Sequence, residues 1–240
     1  MELYDNAVQL LTQLIEIPSY SKEESSTAEV IEEFFTARDI EVHKSGNNIW
    51  AFANPFDKDK PTIWLNSHHD TVKPNAGYTK DPFLAITEDG KLYGLGSNDA
   101  GGPLVSLMAA FSHFYGQELP FNLIMIASSE EEISGKNGIA SVIDQLPPCE
   151  LAIVGEPTLM DMAVAEKGLM VIDAKVYGKA GHAAREEGVN AIYLALDDLQ
   201  KIKDFEFEKV SQFLGKTKVS ATVIHSGQQH NVVPDLCEFV

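Results

Sequence analysis

Cysteine and positive charge are both scarce in this sequence of 240 residues. Its two cysteines, Cys149 and Cys237, lie far apart without any CxxC spacing, so no disulfide framework or thiolate zinc site follows from them. Lysine and arginine together number 18 against 36 acidic residues, which gives a formal net charge of −18. A chain so poor in cations is a poor partner for nucleic acid or for an anionic membrane. The excess of carboxylates names no substrate by itself, because most acidic side chains simply keep a surface hydrated.

Long apolar segments are also missing. No apolar run reaches membrane-spanning length, and the first five residues lack the basic and apolar regions of a signal peptide. We therefore expect a cytoplasmic, reducing location. With 44% hydrophobic residues, the chain can still bury a proper core, which excludes disorder as a class.

The first part of the chain alternates helical and strand patterns. Helices are predicted over 3–15, 27–37, 102–115 and 137–145, strands over 48–53, 62–67, 121–129 and 151–155, and a hairpin turn at 88–91. Strands that alternate with helices indicate an α/β fold with a mainly parallel sheet covered by helices.

The pattern changes after Glu156 to half-exposed strands around one helix, as in a smaller α+β domain. Strands are predicted over 168–177, 216–224 and 235–240, and a helix over 189–202. We place a boundary near Ala165, which gives domains over 1–165 and 166–240. Because the last strand is followed by neither a turn nor a polar tail, we expect the chain to be truncated at its C-terminus.

Potential metal ligands follow the predicted strands of the first domain. Histidines and carboxylates follow three strands, and one more carboxylate lies in a glycine-rich loop: His68, His69, Asp70, Asp99, Glu130, Glu131, Glu132 and Glu156. The carboxyl ends of parallel strands are where open α/β sheets build their sites. Nitrogen and oxygen ligands without thiolate suit Zn²⁺, Co²⁺ or Mn²⁺.

The spacing of these residues suggests separate roles. Side chains two apart on a strand face the same way, so Asp70 can orient His68, which favours His68 over His69 as a ligand. A carboxylate such as Asp99 can lie between two cations. Adjacent acids such as Glu131 and Glu132 can divide labour, one binding metal and the other taking a proton.

Each feature also has an ordinary structural explanation. The histidines could cap a strand end, Asp99 could cap the following helix, and Glu156 could be a simple strand-end acid. The run of three glutamates could be a solvated charge run. The joint occurrence of these residues in one predicted sheet favours a hydrolytic metal site.

The order of these motifs resembles the M20 metallopeptidases and deacylases, in particular relatives of acetylornithine deacetylase and succinyl-diaminopimelate desuccinylase. The resemblance rests on His68-x-Asp70, Gly94-x-Gly96-x-x-Asp99, Ser129-x-Glu131-Glu132 and Gly155-Glu156-Pro157-Thr158, and it covers nearly the whole chain. It implies a zinc-peptidase-like catalytic domain followed by a lid, or dimerisation, domain.

The resemblance also implies a role for each matched residue. His68 would be a terminal ligand, Asp99 the bridge between two divalent ions, and Glu132 and Glu156 terminal ligands at the two ions. Glu131 would be the general base and Asp70 would orient His68. The Asp99-Ala100 peptide bond would be cis. The last metal ligand of the family, a histidine near the C-terminus, is not present in this chain.

In the second domain, Gly178-Lys179-Ala180-Gly181-His182-Ala183-Ala184 resembles the lid motif of the family. There the histidine reaches the active site of a partner subunit and supports the oxyanion, which implies the same role for His182 in a homodimer. Spacing alone would make His182 an ordinary loop histidine. Asn231 matches a lid asparagine that contacts substrate. Arg185, where many members have a proline, is a second candidate substrate contact.

The resulting hypothesis is a two-metal amidohydrolase that acts on a small N-acyl amino acid. N-acetylornithine or N-acetylcitrulline is favoured, with a place in arginine biosynthesis, and this fragment alone is expected to be inactive. The alternatives are a desuccinylase or a di- or tripeptidase of the same family. A catalytically inactive binding or assembly module is the alternative of another class, which the retention of Glu131 beside Glu132 disfavours.

Overall fold

A computed structural model describes residues 2–240. The chain forms two compact units, Met1–Met160 and Asp161–Val240. Among the described residues, no helix is long and apolar enough to cross a membrane.

From residue 2 onward, the first unit contains three α-helices and seven strands. The helices are α1 (Glu2–Ile15), α2 (Ser25–Thr36) and α3 (Gly102–Phe114), and the strands are β1 (Val42–Ser45), β2 (Asn48–Phe52), β3 (Thr62–His68), β4 (Ile86–Glu88), β5 (Lys91–Tyr93), β6 (Asn122–Ser128) and β7 (Leu151–Val154). The structure confirms the predicted helices α1, α2 and α3 and the four predicted strands, within a few residues at their ends. It also confirms the hairpin turn between β4 and β5.

The central sheet is mixed, with strand order β1-β2-β6-β3-β7. Strand β3 runs parallel to both β6 and β7, whereas β2 runs antiparallel to β1 and β6. The expectation of a mainly parallel sheet is therefore wrong for its β1-β2 end. The reason is the two-residue loop Gly46–Asn47, with Gly46 at φ +59°, which reverses the chain between β1 and β2.

Strand β6 lies at the centre of this sheet, and all seven of its residues are buried. Successive side chains point to opposite faces. Met125 packs into a large cluster with residues of the three helices, including Phe35 and Phe111, whose rings meet edge to face at 5.8 Å. Ile124 packs on the other face, with Trp50 among others. Burial of such a side chain contributes roughly 1.5–3 kcal/mol, so β6 anchors the sheet.

The predicted helix over 137–145 is wrong. The structure has two short 3₁₀ segments there, Ile139–Ser141 and Ile143–Gln145. The carbonyl of Asn137, which an α-helix would use for its first turn, instead accepts hydrogen bonds from Asn48 Nδ2 and Ser129 Oγ. Side-chain donors thus compete with the backbone N–H groups of a helix for this carbonyl oxygen.

The second unit has one helix and short strands. They are β8 (Ala174–Tyr177), β9 (Gly181–His182), α4 (Ala191–Asp204), β10 (Val210–Ser211), β11 (Gly215–Lys216), β12 (Ile224–Ser226), β13 (Val232–Val233) and β14 (Leu236–Phe239). A three-stranded sheet has the order β12-β14-β8, and β9 pairs with β13. Ala191 and Ala195 of α4 pack against Cys237 and Phe239 of β14.

Two predicted strands of the second unit are too long. The first begins at Ala174 instead of 168, and residues 217–223 lie outside β11 and β12. In both cases the strand begins where its pairing with β14 begins, since Ala174 of β8 and Ile224 of β12 both lie opposite Phe239. Alternation in sequence identifies a strand face, but a ladder also needs a partner along its length.

Candidate metal centre

The predicted ligands of the first unit meet at the edge where β3, β6 and β7 end. His68 lies opposite Ser128 of β6, and Asn66 lies opposite Val154 of β7, so the residues that follow each strand converge. His68 is 1% exposed. Its Nε2 lies 3.2 Å from Asp99 Oδ1 and 3.8 Å from a carboxylate oxygen of both Glu131 and Glu156.

Two groups of ligand atoms form around this imidazole. One comprises His68, Glu131 and Glu156, and the other His68, Asp99 and Glu132, with the ligand atoms of each group within 4.8 Å of one another. Geometry therefore brings all five residues together. It places Glu131 as near to His68 as Glu156, so distance alone does not separate a base from a ligand.

Asp70 fixes the orientation of the His68 ring. His68 Nδ1 lies 3.0 Å from the carbonyl oxygen of Asp70 and 3.4 Å from Asp70 Oδ1. Both partners are acceptors, so Nδ1 carries a proton, and Nε2, which faces the carboxylate cluster, is the nitrogen that would bind a metal ion.

Both ring nitrogens of the adjacent His69 have hydrogen-bond partners within the fold. Its Nδ1 lies 2.9 Å from Thr27 Oγ1 and its Nε2 lies 2.9 Å from the carbonyl oxygen of Asn47. Burial lowers the pKa of His69, which keeps its imidazole neutral. With both nitrogens engaged, His69 has no lone pair to offer a metal ion.

Asp99 lies in a kinked turn over Ser97–Gly101, in which Asp99 and Ala100 have non-helical dihedral angles. Gly96 lies at φ +75°, and a Cβ there would come within 2.6 Å of Thr71 Cγ2. The Asp99-Ala100 peptide bond is cis, as the family resemblance implies. In the described residues α3 begins after Gly101 without a side-chain cap, so Asp99 does not serve as its cap.

Asp70 also holds the turn that carries Glu131 and Glu132. Its carboxylate accepts hydrogen bonds from the backbone N–H groups of Glu131 at 3.0 Å and Glu132 at 3.2 Å. Ser21 Oγ donates a third hydrogen bond at 2.7 Å. One buried carboxylate therefore connects the imidazole of His68 to both glutamates.

The electrostatics of the cluster follow from burial and like charge. Burial lowers the pKa of His68, but the hydrogen bond to Asp70 and the charges of Asp70, Glu156 and Glu131 outweigh it and raise the pKa to about 9. Burial, with the charges of Glu131 and Asp99, raises the pKa of Glu156 to about 7. Burial and the charge of Asp99 also raise the pKa of Glu132. Crowded carboxylates around one imidazole are an environment that divalent cations would relieve.

The donor set fits such cations. It offers one imidazole nitrogen and several carboxylate oxygens without thiolate, which is typical of catalytic zinc and of the related ions Co²⁺ and Mn²⁺.

Comparison with known proteins identifies the family. Residues 64–233 match the family model described as Peptidase family M20/M25/M40. The chain belongs to this family. The matched segment contains every candidate ligand described above.

Individual relatives agree with this assignment. The chain is 30% identical to succinyl-diaminopimelate desuccinylase of Buchnera aphidicola subsp. Cinara cedri, over 93% of this chain and 63% of the relative. It is 29% identical to acetylornithine deacetylase of Myxococcus xanthus, over 80% of this chain and 52% of the relative. The chain thus spans between half and two thirds of the length of these relatives.

A solved structure shows the same fold. A tripeptidase from Staphylococcus aureus superposes with a TM-score of 0.65 at 23% identity, over 98% of this chain and 64% of that structure.

The remaining predicted site residues of this M20 chain lie in its second unit. His182 is in β9, which pairs with β13, and its Nδ1 accepts a hydrogen bond from the Ala184 N–H at 3.1 Å. The Ala183 N–H donates to the carbonyl oxygen of Asn231. The exposed Arg185 pairs with Glu187 at 3.4 Å. The fold brings His182, Asn231 and Arg185 into one strand pair and its adjoining turn.

Sequence reasoning missed two residues that support this M20 site. Ser21 binds the carboxylate of Asp70, and the buried Glu24 contacts the turn at Glu130. Both precede α2, where serine and acidic residues are ordinary helix-start signals. Their contacts are made across 49 and 106 residues of sequence, so local patterns carry no sign of them.

Proposed function

We propose that the protein hydrolyses the amide bond of a small N-acyl amino acid with two divalent metal ions, Zn²⁺ or Co²⁺, with Mn²⁺ as a further candidate. The observation that carries this proposal is the convergence of three carboxylates within 3.8 Å of the buried His68 Nε2. Membership of the M20 family supports the reaction class.

His68, Asp99, Glu132 and Glu156 would hold the ions, with Asp99 between them. When bound, the ions would polarise the amide carbonyl and lower the pKa of the attacking water. The charge of the donor set supports this assignment, because burial, together with the charges of the neighbouring carboxylates, raises the pKa of Glu156 to about 7.

Glu131 acts as the general base in this proposal. Its side chain is about half exposed (53%), so it can reach both solvent and a substrate beside the cluster. It takes a proton from water as the water oxygen bonds to the amide carbon. When the carbon–nitrogen bond breaks, Glu131 returns that proton to the leaving amine, and a carboxylic acid and an amine are released.

The second unit would serve as the lid and dimerisation domain. His182 of a partner subunit would donate a hydrogen bond to the oxyanion, while Arg185 and Asn231 would contact the substrate. The local structure supports this proposal, since His182 lies in β9, opposite Val232 of β13, and Asn231 immediately precedes β13.

N-acetylornithine or N-acetylcitrulline is the favoured substrate, which would place the enzyme in arginine biosynthesis. The Myxococcus relative named acetylornithine deacetylase supports this choice. A second candidate, N-succinyl-diaminopimelate, is favoured by the Buchnera relative that matches 93% of the chain.

The test measures the amine that the protein, at its natural length, releases from N-acetylornithine, N-succinyl-diaminopimelate and a dipeptide. Chelator is added, and Zn²⁺ or Co²⁺ is then restored. We expect turnover of one substrate that metal restores and that Glu131→Gln abolishes. Turnover of the succinylated compound or the dipeptide alone would reject the favoured substrate. Absence of metal binding would reject the hydrolase hypothesis and leave a catalytically inactive binding or assembly module as the alternative.

A further inference from the structure

We propose that Glu24 is a positioning residue for the turn that carries Glu131 and Glu132. Its carboxylate fixes the backbone of Glu130, the first residue of the turn, and thereby the direction of the next two side chains. The consequence for catalysis rests on the proposed function, whereas the hold on the backbone stands by itself.

Glu24 is a fully buried carboxylate, 0% exposed, immediately before α2. Its Oε1 accepts hydrogen bonds from the backbone N–H groups of Lys22 at 2.7 Å and Glu130 at 3.1 Å. Its Oε2 accepts a hydrogen bond from Asn47 Nδ2 at 2.9 Å. Lys22 lies just before α2 and Asn47 immediately precedes β2. Glu24 therefore connects the turn, which is distant in sequence, to the starts of α2 and β2.

Glu24 and Asp70 together bind three successive N–H groups of the turn. Glu24 accepts from Glu130, and Asp70 accepts from Glu131 and Glu132. Hydrogen bonds from N–H groups to carboxylates are shorter and stronger than neutral ones. Asp70 also contacts His68, whereas the carboxylate of Glu24 holds the turn from the side of α2 and β2.

The turn needs such support because Glu130 adopts a left-handed conformation, with φ +52°. A residue other than glycine adopts this region only when its surroundings hold it there. The Glu130 side chain folds back to accept hydrogen bonds from the backbone and side-chain nitrogens of Asn137. Gly135 makes room for it, since a Cβ there would lie 2.1 Å from Glu130 Oε2. Glu130 thus points into its own loop and leaves the cluster to its two neighbours.

The experiment compares Glu24→Leu and Glu24→Gln with the wild type, using the protein at its natural length. Leucine removes both acceptor oxygens, and glutamine keeps one oxygen for the two N–H groups but removes the charge. The matched control is Asn122→Ala, at the opposite end of β6. Asn122 is also a buried polar residue with several hydrogen bonds, to Asp57, Lys60 and Thr62, and it has no contact with the turn.

The first readout is amide hydrogen exchange of residues 130–132 in the metal-free protein. We expect exchange about 10- to 100-fold faster in Glu24→Leu, a smaller increase in Glu24→Gln and no change in Asn122→Ala, because a hydrogen bond to a charged group is lost. If Glu24→Leu does not fold, Glu24→Gln alone decides the comparison. Unchanged exchange in Glu24→Gln, or the same increase in Asn122→Ala, would overturn the proposal.

The second readout is the division between kcat and KM with the substrate that the wild type turns over. We expect kcat to fall on the order of 100-fold in Glu24→Leu, with KM changed little and partial recovery in Glu24→Gln, because small misplacements of a catalytic group are that costly. Equal losses in Asn122→Ala would reduce Glu24 to a general stabilising role. A wild type without activity would reject the proposed function but leave the exchange result valid.

Discussion

The two adjacent histidines show how environment decides chemistry at the scale of a residue. His68 and His69 are both buried. His68 uses one nitrogen on Asp70 and turns the other toward carboxylates, whereas His69 uses both nitrogens on Thr27 and Asn47. The same side chain is therefore a candidate metal ligand in one position and a structural link in the next.

Substitution of the two histidines should have opposite effects. We expect His68→Ala to lower metal affinity by more than the roughly 10- to 100-fold that loss of an outer-shell partner costs. His69→Ala should keep metal binding and lose stability, about 1–3 kcal/mol for each buried partner left unsatisfied. Metal titration and urea unfolding of both variants check this. Equal losses of metal affinity would contradict the separate roles.

The charge of His68 predicts a pH dependence of the metal-free protein. Its pKa is about 9 in the fold against 6.5 in an unfolded chain. The raised pKa contributes stability that is fully present below pH 6.5 and is lost as pH rises through about 9. After chelation, the unfolding midpoint of the wild type should therefore decrease as the pH is raised from 7 to 9. The midpoint of His68→Gln should fall less, and identical slopes would contradict the expectation.

At the scale of elements, the predictable parts are those whose signals are local. The helices α1 and α2 follow from apolar periodicity and α3 from Gly102-Pro103 at its start. Strands β3, β6 and β7 follow from short apolar runs, so the edge where the candidate ligands meet was predictable as well. Strand β1 was missed although Gly46–Asn47 is a recognisable hairpin turn.

Other features depend on partners far away in sequence. The 3₁₀ segments after Asn137 arise because Asn48, 89 residues away, takes its carbonyl. The position of β12 depends on its pairing with β14, in which Ile224 lies opposite Phe239. The left-handed Glu130 is held by Glu24, which sequence periodicity assigns simply to the start of a helix.

The turn that presents Asp99 gives a prediction about an element. Gly96→Ala should destabilise the protein by about 2–5 kcal/mol and weaken metal binding, because its Cβ would strike Thr71 in addition to the left-handed strain. Gly116→Ala is the matched control, with φ +73° and nothing within 4 Å of its Cβ. It should cost about 1–2 kcal/mol and leave metal binding unchanged. Thermal unfolding and metal titration distinguish the two, and equal behaviour would contradict the steric argument.

At the scale of the whole molecule, all candidate metal ligands lie in the first unit and the candidate oxyanion residue His182 lies in the second. Each unit has its own hydrophobic cluster. In the proposed dimer, His182 from the second unit of one subunit would act at the metal site in the first unit of the other subunit.

Mixing two inactive variants of the protein at its natural length tests whether His182 acts in the partner's site. His182→Ala keeps the metal site and Glu131→Gln keeps His182, so a mixed dimer would contain one complete site. Random association at equal concentrations should restore about a quarter of the wild-type activity. The control mixture replaces the second variant with the double variant that lacks both residues, and it should stay inactive. No recovery in the first mixture would contradict a role for His182 across the dimer.

The most direct test of the central claim is the number of metal ions bound after dialysis of the wild type, Glu131→Gln and Glu132→Gln, all three at the natural length of the protein. The distances place Glu131 and Glu132 in separate groups around the same imidazole, and only their chemistry distinguishes base from ligand. If Glu131 is the base, its variant should keep both ions and lose turnover, while Glu132→Gln should lose about one ion. Loss of an ion from Glu131→Gln, with both ions retained in Glu132→Gln, would contradict the assignment.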